Sequence, residues 1–154
     1  MPTLIAPPEN TNAPQRTEQL VKTERSTRVL LVEDEPLTAE VFARALSRAG
    51  HVVDVARDGL QALRRLRERL PSLVVLDMSL PALSGAEVVR ELRSAGHVDL
   101  PIVVVSGSER SQTSLSAAEL WPGAWLVKPI KPRDLVAIVR DLTQNHDGSL
   151  PPHG

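Results

Sequence analysis

The chain has 154 residues, with 18 Lys and Arg against 19 Asp and Glu, enough for one domain with a real core and too short for two. The near balance of charge supplies no bulk field toward nucleic acid or a membrane surface. The absence of cysteine excludes disulfides, thiol catalysis and zinc-thiolate sites, and fits a reducing, cytoplasmic setting.

Residues 1–27 are polar, hold Pro2, Pro7, Pro8 and Pro14, and contain few aliphatic residues. They read as a flexible tail with neither a signal peptide nor a membrane span. From Arg28 apolar runs alternate with amphipathic segments. A strand is predicted over 28–33, then a helix over 36–49 opened by Pro36 and closed by Gly50. A strand over 52–56 precedes a helix over 58–69 whose Arg64, Arg65, Arg67 and Arg69 read as a solvated face. The run ending in Asp77 predicts a strand over 73–77. Ser84 with Glu87 is a capping-box pattern that starts a helix over 85–95, with Gly96 beyond it.

A strand over 101–106 is followed by the weakest segment, a helix over 109–119. Its only large apolar residue between Ser111 and Ser116 is Leu115, so it is expected to be the least firmly docked element. A strand over 124–127 and a helix over 132–144 complete the domain, the helix placing Leu135, Ile138, Val139 and Leu142 on one face. Residues 145–154 read as a second tail. Five short apolar strands alternating with five helices predict an α/β domain over 28–144, with a parallel sheet covered on both faces.

Three of the apolar runs end in charge: Glu33 and Asp34 after the first, Asp77 after the third, Lys128 after the fifth. Strand C-termini form the ligand-binding rim of an open α/β sheet. Three carboxylates brought that close cannot all stay ionised without a compensating cation. Lys128 and a divalent ion are the natural candidates, and all-oxygen ligation suits Mg²⁺ or Mn²⁺. A carboxylate is already deprotonated at neutral pH and can attack phosphorus without a general base. Metal and lysine would neutralise the incoming phosphoryl oxygens, and the Ser106 hydroxyl, at a fourth strand end, can donate to another, although a serine beside Gly107 also suits a plain turn. The four histidines share no spacing that makes a metal site or a triad.

These residues resemble the receiver domain of two-component response regulators. The matching segments are Val-Leu-Leu-Val-Glu-Asp-Glu-Pro at 29–36, Gly-His-Val-Val-Asp-Val-Ala-Arg-Asp-Gly at 50–59, Asp-Met-Ser-Leu-Pro-Ala-Leu-Ser-Gly at 77–85, Pro-Ile-Val-Val-Val-Ser-Gly at 101–107 and Trp-Leu-Val-Lys-Pro at 125–129. Any one is weak; five in family order are specific. The resemblance implies a flavodoxin-like, doubly wound (βα)5 fold with strand order 2-1-3-4-5, an order the general account of this fold group already includes. It implies that Asp77 is the phosphoacceptor, that Asp34 binds Mg²⁺ directly and Glu33 through water, and that the Ser79 backbone carbonyl completes the protein ligands. It further implies that Lys128 contacts the phosphoryl group beside a cis Pro129, and that Ser106 and Trp125 are the switch residues.

The implied activity is a stand-alone, phosphorylation-dependent switch. It would be charged by a histidine kinase or phosphotransfer protein, and would signal to an unidentified protein, with no nucleic-acid or membrane partner. It would not be a metabolic enzyme, catalysing only its own phosphorylation and dephosphorylation. The alternatives are a phosphorylation-independent adaptor, an Mg²⁺-dependent phosphatase with an Asp nucleophile, and a flavodoxin. The phosphatase pattern wants a second Asp where Ser79 stands, and the flavodoxin would need a phosphate cradle where Glu33, Asp34 and Glu35 stand. Two features depart from the family pattern: Trp125 occupies a position usually Tyr or Phe, and the usual Gly-Ala falls on Trp121-Pro122.

Overall fold

The computed structural model describes residues 27–144; the two tails, Thr27 aside, lie outside the described residues. The elements run β1 (Arg28–Val32), α1 (Pro36–Arg48), β2 (Val52–Ala56), α2 (Gly59–Glu68), β3 (Leu73–Asp77), α3 (Gly85–Ser94), β4 (Ile102–Ser106), a 3₁₀ turn (Arg110–Gln112), α4 (Ala117–Leu120), β5 (Gly123–Val127) and α5 (Pro132–Gln144). The five strands form one parallel sheet in the order β2-β1-β3-β4-β5, as the resemblance implied.

Alternation along the strands explains why the sheet is covered on both faces. Leu30, Val32, Val74, Leu76, Ile102 and Val104 point to one side, where Ala62 and Leu66 of α2 and Val88, Val89 and Leu92 of α3 meet them. Val29, Leu31, Leu73, Val75, Val103 and Val105 point to the other, against Phe42 and Leu46 of α1 and Leu135 and Val139 of α5. Burying each such side chain stabilises the fold by about 1.5–3 kcal/mol before conformational entropy is subtracted. The core is therefore concentrated around β1, β3 and β4.

Local chemistry places the helix starts where the sequence predicted them. Pro36 opens α1, and Ser84 and Glu87 close a reciprocal capping box at α3. Gly50 and Gly96 take φ of 101° and 98° past the ends of α1 and α3.

The region between β4 and β5 is a correction. In place of a helix over 109–119, the chain makes the 3₁₀ turn and the four-residue α4. Ser and Thr side chains compete with the helical ladder here: Ser106 Oγ accepts from the Ser108 N–H and Thr113 Oγ1 from the Leu115 N–H. A true helix start comes only at Ser116, which forms a capping box with Glu119. That Ser-x-x-Glu pattern is the signal the sequence reading passed over. Nor is the segment simply loose. Leu115 and Leu120 are buried, and Arg90 and Arg93 of α3 bond across to Ser114 and to Glu119.

Candidate phosphoacceptor site

The strand ends bring the charged residues together. Glu33 follows β1 directly, and its N–H donates to the Ala56 carbonyl at 2.9 Å, extending the pairing of β1 with β2 by one residue. That bond fixes Glu33 with only 2% of its surface exposed, whereas Asp34, one residue on, is exposed. Asp77 closes β3 between two neighbouring strands and is 4% exposed. Carboxylate oxygens of Glu33, Asp34 and Asp77 lie within 4.8 Å of one another.

The third acid of the Glu33-Asp34-Glu35 run goes elsewhere. Glu35 is the N-cap of α1, its carboxylate accepting from the Leu37 and Thr38 N–H groups and from the Thr38 hydroxyl at 2.7 Å. Those bonds, the Thr38 hydroxyl first, hold its pKa below the usual carboxylate value. By anchoring the helix that follows, Glu35 fixes the loop carrying Asp34. Its own N–H donates to Glu33 Oε2 at 3.1 Å, orienting that buried carboxylate.

Lys128 supplies the positive charge, its Nζ 3.2 Å from Asp77 Oδ2. The pair bridges the ends of β3 and β5 across β4, because the Lys128 N–H donates to the Ser106 carbonyl at 2.7 Å. The Lys128–Pro129 peptide is cis, as the resemblance implied, and so is Trp121–Pro122. Asp77 Oδ1 accepts from the Ser79 N–H at 3.0 Å, so Ser79 meets Asp77 through its amide. Burial is the main influence on Glu33 and lifts its pKa from 4.5 to about 7; the Glu35 N–H opposes this, and the Asp77 charge adds to it.

The loop after Asp77 is shaped by close packing. A Cβ on Gly59 would collide with the Leu83 carbonyl and stand 2.6 Å from Leu83 Cβ, so only glycine lets the start of α2 meet this loop. Within the loop Ala82 takes a positive φ of 68°, a conformation that an L side chain disfavours.

Of the two expected switch residues, Ser106 is 7% exposed at the end of β4, and its Oγ accepts from the Ser108 N–H at 3.1 Å. Trp125 is half-buried in β5, packs on the same side of the sheet as Leu115 and Leu120, and donates its indole N–H to the Ser108 carbonyl at 2.9 Å. Sequence reading gave Ser108 no part; its role depends on a contact 17 residues away.

The donor set fits a hard divalent cation. It offers only oxygen ligands, one carboxylate exposed and two buried, all within 4.8 Å of one another. Among the described residues no helix is long and apolar enough to cross a membrane.

Comparison with known proteins agrees with this geometry. Residues 29–140 match the profile described as "Response regulator receiver domain". Response regulator MprA of Mycobacterium ulcerans is 36% identical over 117 residues, 76% of this chain and 50% of its own. DNA-binding response regulator MtrA of Mycolicibacterium smegmatis is 38% identical over 121 residues, 78% and 52% respectively. The chain thus spans about half the length of the curated relatives it matches, and the expectations of a stand-alone switch and of no nucleic-acid partner draw no support from them. Among solved structures, a sensor protein from Polaromonas has a TM-score of 0.70 at 30% identity, covering 78% of this chain and 98% of that one. Response regulator protein TrrA from Thermotoga maritima, solved in complex with Mg²⁺-BeF, has a TM-score of 0.67 at 29% identity, covering 75% and 98%.

Proposed function

The chain belongs to the response regulator receiver family, and from that we propose that it is a phosphorylation-dependent signalling switch whose phosphoacceptor is Asp77. The observation that carries this reading is the setting of Asp77: nearly buried, 3.2 Å from Lys128 Nζ, and grouped with two further carboxylates at the end of the central strand. An Asp77 carboxylate oxygen forms the new O–P bond while the N–P bond to the donor's phosphohistidine breaks. Lys128, now paired with Oδ2, then stabilises the added negative charge. Asp34, Glu33, Asp77 and the Ser79 carbonyl would hold Mg²⁺. When bound, the ion supplies the positive charge that offsets the carboxylates and the transferred phosphoryl group.

The donor is a histidine kinase or phosphotransfer protein, and the output is binding to a further protein. No metabolite is turned over; the protein catalyses only its own phosphorylation and dephosphorylation. The cysteine-free composition fits the cytoplasm as its working compartment.

Incubation with acetyl phosphate and Mg²⁺ is expected to add one acid-stable, base-labile phosphoryl group, seen as a single mass increment in the wild type and absent from Asp77→Asn. Equal labelling of the two forms would overturn the assignment.

A further inference from the structure

The end of the sheet opposite Asp77 carries a groove that the described residues leave open. It lies between the segments that enter β3 and β4, has a volume of about 430 Å³, and is walled by Leu70, Pro71, Val98, Leu100 and Pro101. That volume is in the range of ordinary binding pockets. Leu70 is 48% exposed and Val98 55%, although both are large aliphatic side chains. The polar groups of the wall are already engaged: Arg93 of α3 donates to the His97 and Leu100 carbonyls, and the Ser72 N–H donates to the Arg28 carbonyl at 2.8 Å. The two prolines have no N–H to offer. An occupant therefore meets aliphatic surface, with Asp99 at the edge, exposed and in no ion pair among the described residues.

The bond from Ser72 to Arg28 also fixes where the chain enters the domain. Arg28 opens β1, the neighbour of β3, so the residues before it reach the sheet beside the groove. Between Ala6 and Thr27 the only large aliphatic residues are Leu20 and Val21, and Lys22 follows them. All three lie outside the described residues. Val21 stands six positions before Thr27, a tether of about 20 Å when extended, against about 10 Å for the two strand spacings from β1 to β4. We propose that this groove is the docking site of the chain's own Leu20 and Val21, with Lys22 beside Asp99. A short tether supplies an effective concentration in the millimolar range, so a small apolar contact is enough to populate the docked form. Docking there covers Leu70 and Val98 and leaves the rim that carries Asp77 open, so the proposal does not rest on the phosphorylation reading.

The test is paramagnetic broadening in the full chain, which has no cysteine of its own, so Thr17→Cys carries a single nitroxide. The amide signals of Asp99 and Leu100 are expected to lose most of their intensity. They should recover it when Leu20→Asp and Val21→Asp are added together, and equally when Val98→Asp is added alone, since Val98 is exposed and its replacement leaves the core intact. Signals from β1 and β3 show that each variant is folded. Absence of broadening in the parent, or broadening that persists in either variant, overturns the proposal. Mixing ¹⁵N-labelled chain that lacks the nitroxide with unlabelled chain that carries it tests the other occupant. No broadening in that mixture supports docking within one chain. Broadening there as strong as in the singly labelled protein makes the occupant a second copy and overturns the assignment to the chain's own segment.

Discussion

Ala82 shows how one residue can carry strain beside the proposed phosphoacceptor. It sits five positions after Asp77, is exposed, and holds φ at 68°, where its Cβ crowds the following carbonyl at about 1–2 kcal/mol. Neighbours impose that angle: Leu83 is wedged against Gly59, the Leu83 N–H donates to the Pro81 carbonyl at 2.7 Å, and Gly85 closes the loop onto Met78. Ala82→Gly relieves the crowding but loosens the unfolded chain, so a net gain of about 0.5–1 kcal/mol is expected. Chemical denaturation measures it; a loss of stability would show that the positive φ carries no strain. Gly59→Ala runs the other way, because the added methyl meets backbone that cannot yield without moving the loop after Asp77.

The segment between β4 and β5 behaves as an element held by its neighbour more than by its own hydrogen bonds. Arg93 of α3 donates to the Glu119 carbonyl at 2.8 Å through Nε, and through its first terminal nitrogen to the carbonyls of His97 at 2.6 Å and Leu100 at 2.8 Å. One guanidinium thereby ties α4, the turn after α3 and the approach to β4. Burial lowers its pKa, with Asp99 opposing. Arg90, one turn earlier and more exposed, reaches Ser114 and Glu119. Arg93→Met is expected to cost about 2–3 kcal/mol, since several carbonyls lose a charged donor. Arg90→Ala should cost less than about 1 kcal/mol, as exposed ion pairs do. Urea titration of the two variants checks the order, and equal losses would mean the three carbonyls are satisfied by water when Arg93 is removed.

At the scale of the whole molecule, the acidic rim couples stability to pH and to metal. Glu33 has a pKa of about 7 in the folded, metal-free protein against 4.5 as the ordinary value, chiefly because it is buried. The folded state therefore binds more protons than the unfolded state between those values. The contribution of Glu33 to stability is fully present below about pH 4.5 and is lost as pH rises through about 7. Glu33→Gln removes that loss, so the melting temperature of the metal-free variant should gain on the wild type as pH rises across this window. Mg²⁺ favours the ionised carboxylates, and its stabilisation of the wild type should grow over the same range. Thermal melts at pH 5, 6, 7 and 8, with and without Mg²⁺, test both statements. A constant difference between wild type and variant would place the titration outside the site.

The strands, four of the helices and the positions of Asp77, Asp34, Glu33 and Lys128 could be read from the sequence because their causes are local. Apolar runs set the strands, Pro36 and the Ser84–Glu87 pair set helix starts, and a charge immediately after a buried strand must emerge at the rim. What needed the tertiary structure depends on partners distant along the chain. Glu35 turns to cap α1 while Glu33 turns inward, although the two differ in sequence by two positions only. The helix expected over 109–119 gives way to a 3₁₀ turn and α4 because Ser and Thr bond their own backbone and α3 supplies two arginines to hold the result. Trp125 is visible in the sequence as an aromatic near a lysine; its grip on Ser108 exists only because β5 lies beside β4 and the loop between them folds back within reach of the indole. Hydrogen-bond reach is about 3 Å, and no local pattern specifies which distant group will come within it.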